Sequence, residues 1–326
     1  MVDLPLADGI KFGIQTIHRR TEPATGPWLP EQDDGRRLVE LVDEMGYDSL
    51  WVGDHIAFAI PILDPLLQLA QAATWSKRLT FGTGVYLAPL RPAASIAKQI
   101  ATLDHLSGGR LIFGLGVGGE FPKEYEVSGV PHGERGSRLS ETIQVLRKLW
   151  SGETVSHFGA YLRFEDVQML PAPRQPGGPP MWVGGRSKGA LYRAGALADG
   201  WISYVVTPEM YRTSMEAIAA AYADAGRALS TYGSAHLLFC RTDDTYEAAL
   251  DAATETLSVR YAMDFRKAAE RYCALGRPAD VAAKLAEFHA AGCRHIVLDL
   301  MGPYEQREEQ IERFAKEVLP LVAHLR

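Results

Sequence analysis

The sequence predicts an α/β protein folded as a closed (β/α)₈ TIM barrel, and three features of the 326-residue chain indicate it. Short apolar runs bounded by turn residues alternate with amphipathic stretches along the whole chain, which is typical of repeated βα units. The apolar runs are continuous, as expected for parallel strands that are buried on both faces. They number eight, the number of strands that closes such a barrel.

The first βα unit shows the pattern most clearly. Lys11–Ile14 is the first predicted strand, and apolar residues then recur at helical spacing from Leu38 to Met45. Gly46 follows, where a residue of left-handed conformation commonly ends a helix. The other predicted strands are Ser49–Val52, Leu79–Val85, Leu111–Leu115, Pro180–Val183, Gly200–Ser203, Leu237–Cys240 and Ile296–Leu300. The predicted last helix has one apolar face, formed by Ile311, Phe314, Val318 and Leu321.

Two βα units are longer than the others and are predicted to carry insertions, at residues 119–179 after strand four and 241–294 after strand seven. The first insertion is predicted to contain a helix at Leu139–Trp150 and a short hairpin at Thr154–Leu170, before the Pro/Gly-rich link Pro171–Pro180. Such a link is typical of a domain boundary. However, the βα pattern resumes after it, and half a barrel would expose its strand edges. We therefore expect the whole chain, residues 1–326, to form a single barrel domain.

Composition and charge restrict the possible partners. The formal net charge is −6 and the pI is near 5.9, whereas a nucleic-acid binder needs a surplus of Lys and Arg on one face. The amino terminus lacks a basic segment followed by an apolar run, and no stretch approaches the roughly 18 apolar residues of a membrane span. We expect a soluble cytoplasmic protein without a nucleic-acid or membrane partner.

The cysteines give no sign of covalent or metal cross-links. Cys240, Cys273 and Cys293 form no C-x-x-C pair and leave an odd count. Neither a disulfide framework nor a zinc site is indicated. We expect no metal site and a reducing compartment.

Candidate functional residues lie where barrel strands end, because active sites of such barrels are built at the carboxyl ends of the strands. Asp54 and His55 directly follow strand two. Histidine is the side chain most easily tuned to exchange protons near neutral pH, so His55 is a candidate acid/base. The alternative is structural: Asp54 caps the next segment and His55 is a hydrogen-bonded loop residue.

Glycine-rich segments follow strands three and four. In residues 82–85, GTGV, the glycines permit close approach to a flat ligand, although glycines also simply bend strands. Strand four continues into Gly114–Glu120, which superficially matches a dinucleotide fingerprint. A Rossmann motif needs a short turn straight into a helix. Because Glu120–Lys123 intervenes here, we reject that interpretation.

The segment Trp182–Lys188 is the most informative local motif. Its strand ends in Gly184 and Gly185 at the start of a predicted helix, with Arg186 and Ser187 adjacent. Backbone N–H groups, a hydroxyl and a guanidinium then converge, which suits a phosphate group. The alternative is a tight βα turn with a solvated basic tip.

Together these segments resemble the luciferase-like monooxygenase superfamily, and especially its deazaflavin-dependent branch. The resemblance is strongest in RPAASIAKQIATLDHLSGGRLIFGLGVG, which begins at Arg91, in SGVPHGERGSRLSETIQVLRKLWSGETV and in PPMWVGGRSKGALYRAGALADGWI. It covers about residues 11–201, and the last third of the chain matches mainly in barrel rhythm. The resemblance implies a (β/α)₈ barrel with insertions that binds flavin mononucleotide (FMN) or the deazaflavin coenzyme F420 at its carboxyl-terminal mouth.

The resemblance also implies roles for the motifs. His55 matches the histidine that, in deazaflavin-dependent dehydrogenases, takes the hydroxyl proton as hydride leaves carbon. The cofactor-binding positions of the family match Asp54, His55, Thr83, Gly84, Val85, Val117, Gly118, Gly184, Gly185, Arg186 and Ser187. At Gly84-Val85 the family places a strand bulge with a non-prolyl cis peptide bond. Residues 184–187 match the segment that holds the cofactor phosphate.

One departure from the family pattern concerns Glu120. In the sugar-phosphate dehydrogenases a catalytic glutamate directly follows the glycine that matches Gly118, whereas here Gly119 intervenes. Glu120 is retained as a candidate catalytic acid, and the shift argues against glucose-6-phosphate as substrate. Some flavin-using relatives carry an Arg at the position of Val117. The absence of that Arg here favours F420 over FMN.

The implied function is hydride transfer between coenzyme F420 and a small organic substrate, with His55 as the acid/base. Four residues of the first insertion are candidates to shape the substrate pocket, although each is also typical of packing: Phe121, Tyr125, His132 and Phe158. The alternatives are an FMN-dependent two-component monooxygenase, supplied with reduced flavin by a reductase partner, and a non-catalytic flavin or deazaflavin carrier. The substrate stays open, and a homodimer is compatible with the family.

Overall fold

The strands of the computed structural model form one large parallel sheet and one small hairpin. The structure describes residues 4–15, 32–58, 61–119 and 121–326. In chain order the strands are β1 (Lys11–Gln15), β2 (Ser49–Val52), β3 (Thr80–Thr83), β4 (Tyr86–Leu87), β5 (Leu111–Gly116), β6 (Thr154–Phe158), β7 (Arg163–Gln168), β8 (Met181–Gly184), β9 (Gly200–Tyr204), β10 (Gly233–Thr242), β11 (Ala274–Gly276) and β12 (His295–Leu300). The helices are α1 (Gln32–Glu44), α2 (Pro65–Trp75), α3 (Ala93–Ser107), α4 (Pro122–Val127), α5 (Arg135–Leu149), α6 (Lys188–Ala196), α7 (Pro208–Asp224), α8 (Tyr246–Tyr261), α9 (Arg266–Tyr272), α10 (Pro278–Ala290) and α11 (Arg307–Arg313).

Eight of these strands close the barrel. Their order around the ring is β1, β2, β3, β5, β8, β9, β10 and β12, and β12 pairs back onto β1. The predicted (β/α)₈ TIM barrel is therefore confirmed. The predicted third strand is interrupted, because β3 ends at Thr83 and the chain resumes as β4 after a cis peptide bond between Gly84 and Val85.

Both predicted insertions are present. After β5 the chain forms α4, α5 and the antiparallel hairpin of β6 and β7 before it returns to the barrel at β8. After β10 it forms α8, α9 and β11, which pairs with the end of β10, and then α10. The insertions therefore follow the carboxyl ends of barrel strands, the end at which barrel enzymes assemble their sites.

Two tryptophans pack among the barrel strands. The rings of Trp51 and Trp182 lie 5.5 Å apart, and both side chains are buried. Glycines on neighbouring strands leave room for them: a Cβ atom on Gly82 would lie 2.3 Å from Trp51 Cε3, and one on Gly233 would lie 2.1 Å from Trp182 Cε2. Gly82 thus serves barrel packing, and the ligand approach predicted for the glycines after strand three does not involve it.

The carboxyl-terminal segment departs from the single helix that the sequence predicts. A π-helical turn, Phe314–Val318, follows α11, and a 3₁₀ segment, Leu319–Leu325, follows the turn. Because a 3₁₀ helix repeats every three residues, Val322 packs into the core. Leu321, predicted on the buried face at α-helical spacing, is 48% exposed. That part of the prediction was wrong.

The three cysteines, Cys240, Cys273 and Cys293, are free and buried. Among the described residues, no group of three or more His, Cys, Asp or Glu side chains is arranged to hold a metal ion. Within the same ranges, none of the helices combines the length and the apolar composition needed to cross a bilayer.

Two buried histidines predict a loss of stability in acid. Burial lowers the pKa of His236 and of His295 to about 3, whereas a histidine in an unfolded chain titrates near 6.5. The unfolded chain therefore takes up protons that the folded protein does not, so the free energy of unfolding falls as the pH drops from about 6.5 towards 3. Between pH 7 and 5 we expect a loss of about 2 kcal/mol for each histidine. Urea unfolding across this pH range measures it, and a His236→Asn variant with an unchanged slope would contradict the assignment.

Candidate active site

A cavity of about 290 Å³ lies where the barrel strands end. Enzymes of this architecture place their active sites at this end of the barrel, and the volume is close to the lower limit for small-molecule sites. The cavity brings together most of the site residues predicted from the sequence. Those in its lining are Asp54, His55, Gly84, Val85, Val117, Gly118, Gly184 and Gly185.

His55 is held at the cavity wall by Glu124, a residue of α4 that the sequence analysis did not single out. The Glu124 side chain is 1% exposed, and its Oε2 and Oε1 lie 3.1 and 3.2 Å from His55 Nδ1. Its Oε1 also accepts the backbone N–H of Ile56 at 2.7 Å. Because the carboxylate can only accept, the neutral imidazole carries its proton on Nδ1 and keeps Nε2 as an acceptor. This is the tautomer that a general base requires.

Two phenylalanines contact the imidazole ring. Phe58 stacks on His55 with the ring centres 4.1 Å apart, and the Phe121 ring lies edge-on at 5.9 Å. The two phenylalanine rings also contact each other, with their centres 4.3 Å apart. Phe121, a candidate to shape the substrate pocket, therefore packs against His55 itself, and the ring is restrained from two sides as well as through Glu124.

Asp54 forms a buried ion pair behind this histidine. Its side chain is 0% exposed, Oδ2 accepts from Arg91 Nη1 at 2.6 Å, and Oδ1 accepts from Nη2 at 2.9 Å. Oδ2 also accepts the backbone N–H of Leu87 at 2.8 Å. The guanidinium lies over the Tyr86 ring, 4.3 Å from its centre. These contacts tie the end of β2 to the segment around β4, as in the structural alternative, and the cofactor contact of Asp54 stays a prediction.

Asp54→Ala is expected to lower the free energy of unfolding by about 3 kcal/mol, because it leaves the Arg91 guanidinium without its buried partner. Asp64→Ala is the matched control. Asp64 lies 3.8 Å from the same guanidinium, but its side chain is 41% exposed, and the variant loses mainly the cap of α2, worth about 1 kcal/mol. Urea unfolding measures both losses. Equal losses in the free energy of unfolding would mean that the burial of Asp54 does not strengthen its ion pair with Arg91.

The cis peptide bond between Gly84 and Val85 lies at the position that the family resemblance implies. Val85 packs beside two glycines at the ends of neighbouring strands: a Cβ atom on Gly116 would lie 2.3 Å from Val85 Cγ2, and one on Gly184 would lie 2.9 Å from Val85 Cγ1. All four residues line the cavity. They form a flat apolar floor on which no larger side chain stands, and such a floor suits a planar ring.

Thr83 lies behind this floor and is absent from the cavity lining. It is fully buried, and its hydroxyl donates to the Gly114 carbonyl at 2.7 Å, which joins β3 to β5. The structure thus gives Thr83 a role in the barrel wall, and its predicted cofactor contact stays a prediction.

Helix α6 begins beside the cavity at the predicted phosphate segment. Gly185 has φ +113°, a conformation that favours glycine, and the Ser187 hydroxyl accepts from the Ala190 amide at 3.3 Å. The other amides of a first helical turn have no intrahelical acceptor, so this helix start suits an anion. Arg186 Nη1 donates to the backbone carbonyl of Val205, in the loop after β9, at 2.6 Å. Gly184 and Gly185 line the cavity, whereas Arg186 and Ser187 lie outside its lining.

The remaining predicted residues of the first insertion have different outcomes. Glu120 lies outside the described residues, so its role as an acid stays a prediction. The Tyr125 hydroxyl donates to the Val117 carbonyl, and His132 packs edge-on against the Tyr125 ring at 5.0 Å, so both hold the cavity wall from behind. Phe158 is 57% exposed on β6 and does not line the cavity. A pocket role for Phe158 stays a prediction.

A buried ion pair on another wall of the cavity was also missed from the sequence. Arg260 of α8 donates through Nη1 to Asp299 Oδ2 at 2.6 Å, and both side chains are 4% exposed. Burial is the strongest single influence and lowers the pKa of Arg260, but the Asp299 carboxylate and Tyr261 together raise it, and the net pKa lies above its ordinary value. Asp299 stands at the end of β12 inside an otherwise apolar strand, and that buried charge is a signal that the sequence did offer.

The residues at this mouth fit a flavin-type cofactor. The Gln15 Oε1 atom at the end of β1 is buried and has no hydrogen-bond partner in the described part of the chain. A buried amide oxygen of this kind calls for a donor, and flavin and deazaflavin rings carry an N–H at their polar edge. The flat floor around Val85 suits the ring, and the start of α6 suits a phosphate.

The closed barrel, its strand-end cavity and the oriented histidine are the features of an α/β-barrel with a candidate active site at the carboxyl ends of its strands. The luciferase-like monooxygenase family model matches residues 10–295. The chain belongs to this family.

Similar proteins include F420-dependent dehydrogenases and a monooxygenase. An F420-dependent glucose-6-phosphate dehydrogenase of Amycolatopsis mediterranei is 28% identical over 325 residues, 89% of this chain and 95% of the relative. An F420-dependent hydroxymycolic acid dehydrogenase of Mycobacterium tuberculosis is 31% identical over 231 residues, 67% of this chain and 62% of the relative. The crystal structure of the monooxygenase RslO1 from Streptomyces bottropensis is 26% identical, with a TM-score of 0.79 over 95% of this chain and 99% of that one. The chain spans 43 to 63% of the length of the first curated relatives it matches.

Proposed function

We propose that this protein transfers hydride between the deazaflavin coenzyme F420 and a small alcohol or carbonyl compound, with His55 as the acid/base. The observation that supports the proposal is the bond between Glu124 and His55 Nδ1, which leaves Nε2 as the acceptor at a residue of the cavity wall. An alcohol dehydrogenase needs such an acceptor for the hydroxyl proton.

The proposed oxidation removes one hydride and one proton from the substrate. The carbon–hydrogen bond breaks and the hydride leaves to the cofactor, which supplies the electron-accepting ring when it is bound. His55 Nε2 takes the hydroxyl proton, and the alcohol becomes a ketone or aldehyde. Glu124 stabilises the imidazolium that this proton transfer creates. In the reductive direction His55 returns the proton to the oxygen.

The residues proposed to hold the cofactor surround the flat floor of the cavity: Gly84, Val85, Val117, Gly118, Gly184 and Gly185, with Arg186 and Ser187 at the start of α6 for the phosphate. The choice of F420 over FMN is supported by Val117, which stands where some flavin-using relatives of the resemblance carry Arg. Two F420-dependent dehydrogenases among the relatives support it as well.

The second candidate is an FMN-dependent monooxygenase that receives reduced flavin from a reductase partner and uses it with O₂. The likeness to the monooxygenase RslO1, which extends over 95% of this chain, favours it. In that reaction His55 would not be needed to remove a hydroxyl proton from the substrate.

Fluorescence-quench titration with oxidised F420 and with FMN distinguishes the two functions. Tight F420 binding with at least about tenfold weaker FMN binding, followed by F420 reduction with a secondary alcohol, supports the dehydrogenase. The reverse preference supports the monooxygenase and directs the search to a reductase. Binding of neither cofactor would contradict the role given to residues 184–187.

A further inference from the structure

A second, smaller cavity adjoins the first. Its volume is about 50 Å³, and it lies between α8, the loop after β12 and the start of α11. Gln15 and Arg260 line both cavities. We call this cavity the side chamber and define it by Gln15, Thr256, Arg260, Gln306, Arg307 and Gln310.

Two buried polar atoms in the side chamber have no hydrogen-bond partner among the described residues. They are Arg260 Nε and Arg307 Nε. The same part of the chain holds five further buried unpartnered side-chain atoms: Gln15 Oε1 lies beside Gly84 of the main cavity, and the other four belong to no residue of the chamber. Buried polar atoms are almost always paired in folded proteins. Their concentration at one small cavity therefore indicates that a bound group completes the pairing.

The other polar side chains of the chamber are satisfied within the protein. Thr256 Oγ1 accepts the Gly302 amide at 3.0 Å, and Gln306 Oε1 accepts from Arg241 at 2.9 Å. Gln310 Oε1 accepts the Thr242 backbone N–H at 3.2 Å, and Gln310 Nε2 donates to the Thr242 carbonyl at 3.1 Å. The unpaired atoms are thus a selected set, the Nε atoms of two guanidinium groups, and not a general property of the chamber.

The side chamber carries a positive charge. Its described lining contains two arginines and no carboxylate. Asp299 neutralises Arg260 from the main cavity, at 2.6 Å. Within the described ranges, the polar partners of Arg307 are the Tyr304 hydroxyl at 2.8 Å and, at 3.4 Å, Glu308, whose side chain is 41% exposed. An ion pair this exposed is screened by water, so about one positive charge is left for a bound group.

We propose that the side chamber binds an oxyanion group, a carboxylate or a phosphate, of the substrate that reacts beside His55 in the main cavity. Guanidinium groups bind such oxyanions through parallel N–H donors. A volume of about 50 Å³ exceeds the roughly 10–15 Å³ that one water needs and admits a group of several atoms. The assignment to the substrate rests on the proposed function, whereas the oxyanion site itself does not.

Isothermal titration calorimetry with acetate and with inorganic phosphate, at constant ionic strength, tests the site without catalysis. The wild-type protein is expected to bind at least one of them, and Arg307→Met to weaken that affinity by at least about tenfold. Arg313→Met is the matched control, because Arg313 lies on the same helix but pairs with Asp244 and Glu317 outside the chamber. Arg260→Lys keeps the charge beside Asp299 and removes the forked donors, so it should also weaken binding. A wild type that binds neither anion, or an Arg307→Met variant that binds as the wild type does, overturns the site.

Matched substrates test the assignment to the substrate in the F420-loaded enzyme. The acids 3-hydroxybutyrate and glycerol 3-phosphate are compared with their neutral counterparts 2-butanol and glycerol. One acid is expected to have the lower KM, and Arg307→Met should raise that KM by about tenfold or more without changing the KM of the neutral alcohol. A wild type that prefers the neutral alcohols overturns the assignment. If no alcohol reacts, the proposed function fails, and calorimetry alone decides the oxyanion site.

Discussion

Replacing His55 by asparagine is expected to lower kcat for alcohol oxidation by about 10²- to 10⁴-fold and to change F420 affinity by no more than about threefold. The asparagine amide can still donate to Glu124 in place of Nδ1, so the buried carboxylate keeps a partner. It offers no acceptor at the position of Nε2, so the hydroxyl proton has no place to go when hydride leaves. Stopped-flow reduction of F420 by a reactive alcohol gives kcat, and fluorescence quenching gives the affinity.

His132→Asn is the control for the loss of a histidine near the site. His132 packs against Tyr125 and does not line the cavity, so its replacement should leave kcat within about threefold of the wild type. If His55→Asn keeps more than about a tenth of the wild-type kcat, His55 is not the base. If it loses F420 binding as strongly as turnover, His55 binds the cofactor and does not transfer a proton.

The barrel was predictable because its signals are local. Each buried parallel strand is a continuous apolar run, and each helix repeats its apolar positions within a few residues, so no long-range contact has to be known. Gly46, with positive φ, marks a helix end as the sequence indicates. The error at Leu321 arose where the helical repeat itself changes, since the same leucines and valines fit both an α-helix and a 3₁₀ helix.

The candidate site was predictable only where a motif directly follows a strand. His55 and Gly184 stand at strand ends, and the barrel rule alone places them at the mouth. Glu124 lies 69 residues from His55 in sequence, on a short helix of an insertion, and nothing near it indicates its partner. Asp54 illustrates the same limit, because its ion pair with Arg91 depends on how the segment after β4 folds back.

Glu124→Gln is expected to lower kcat by about 10²-fold or more while the protein stays folded. Glutamine has the same shape, and its amide oxygen can still accept the buried Ile56 N–H. Its NH₂ group then faces His55 Nδ1 and donates to it, which moves the imidazole proton to Nε2. That is the atom that must accept the substrate proton. In serine proteases the equivalent exchange of the orienting aspartate for asparagine costs about 10⁴ in kcat for this reason.

Glu126→Gln is the matched control, because it makes the same change on α4 at a side chain that is 69% exposed and pairs with the exposed Lys123. Its kcat should stay within about twofold of the wild type. The comparison of Glu124→Gln with His55→Asn then separates the two roles: both variants should lose turnover and keep F420 affinity. A Glu124→Gln enzyme with wild-type kcat would show that the carboxylate does not set the tautomer. Proton acceptance would then have to be assigned to another group at the mouth, and the dehydrogenase proposal would lose the observation that supports it.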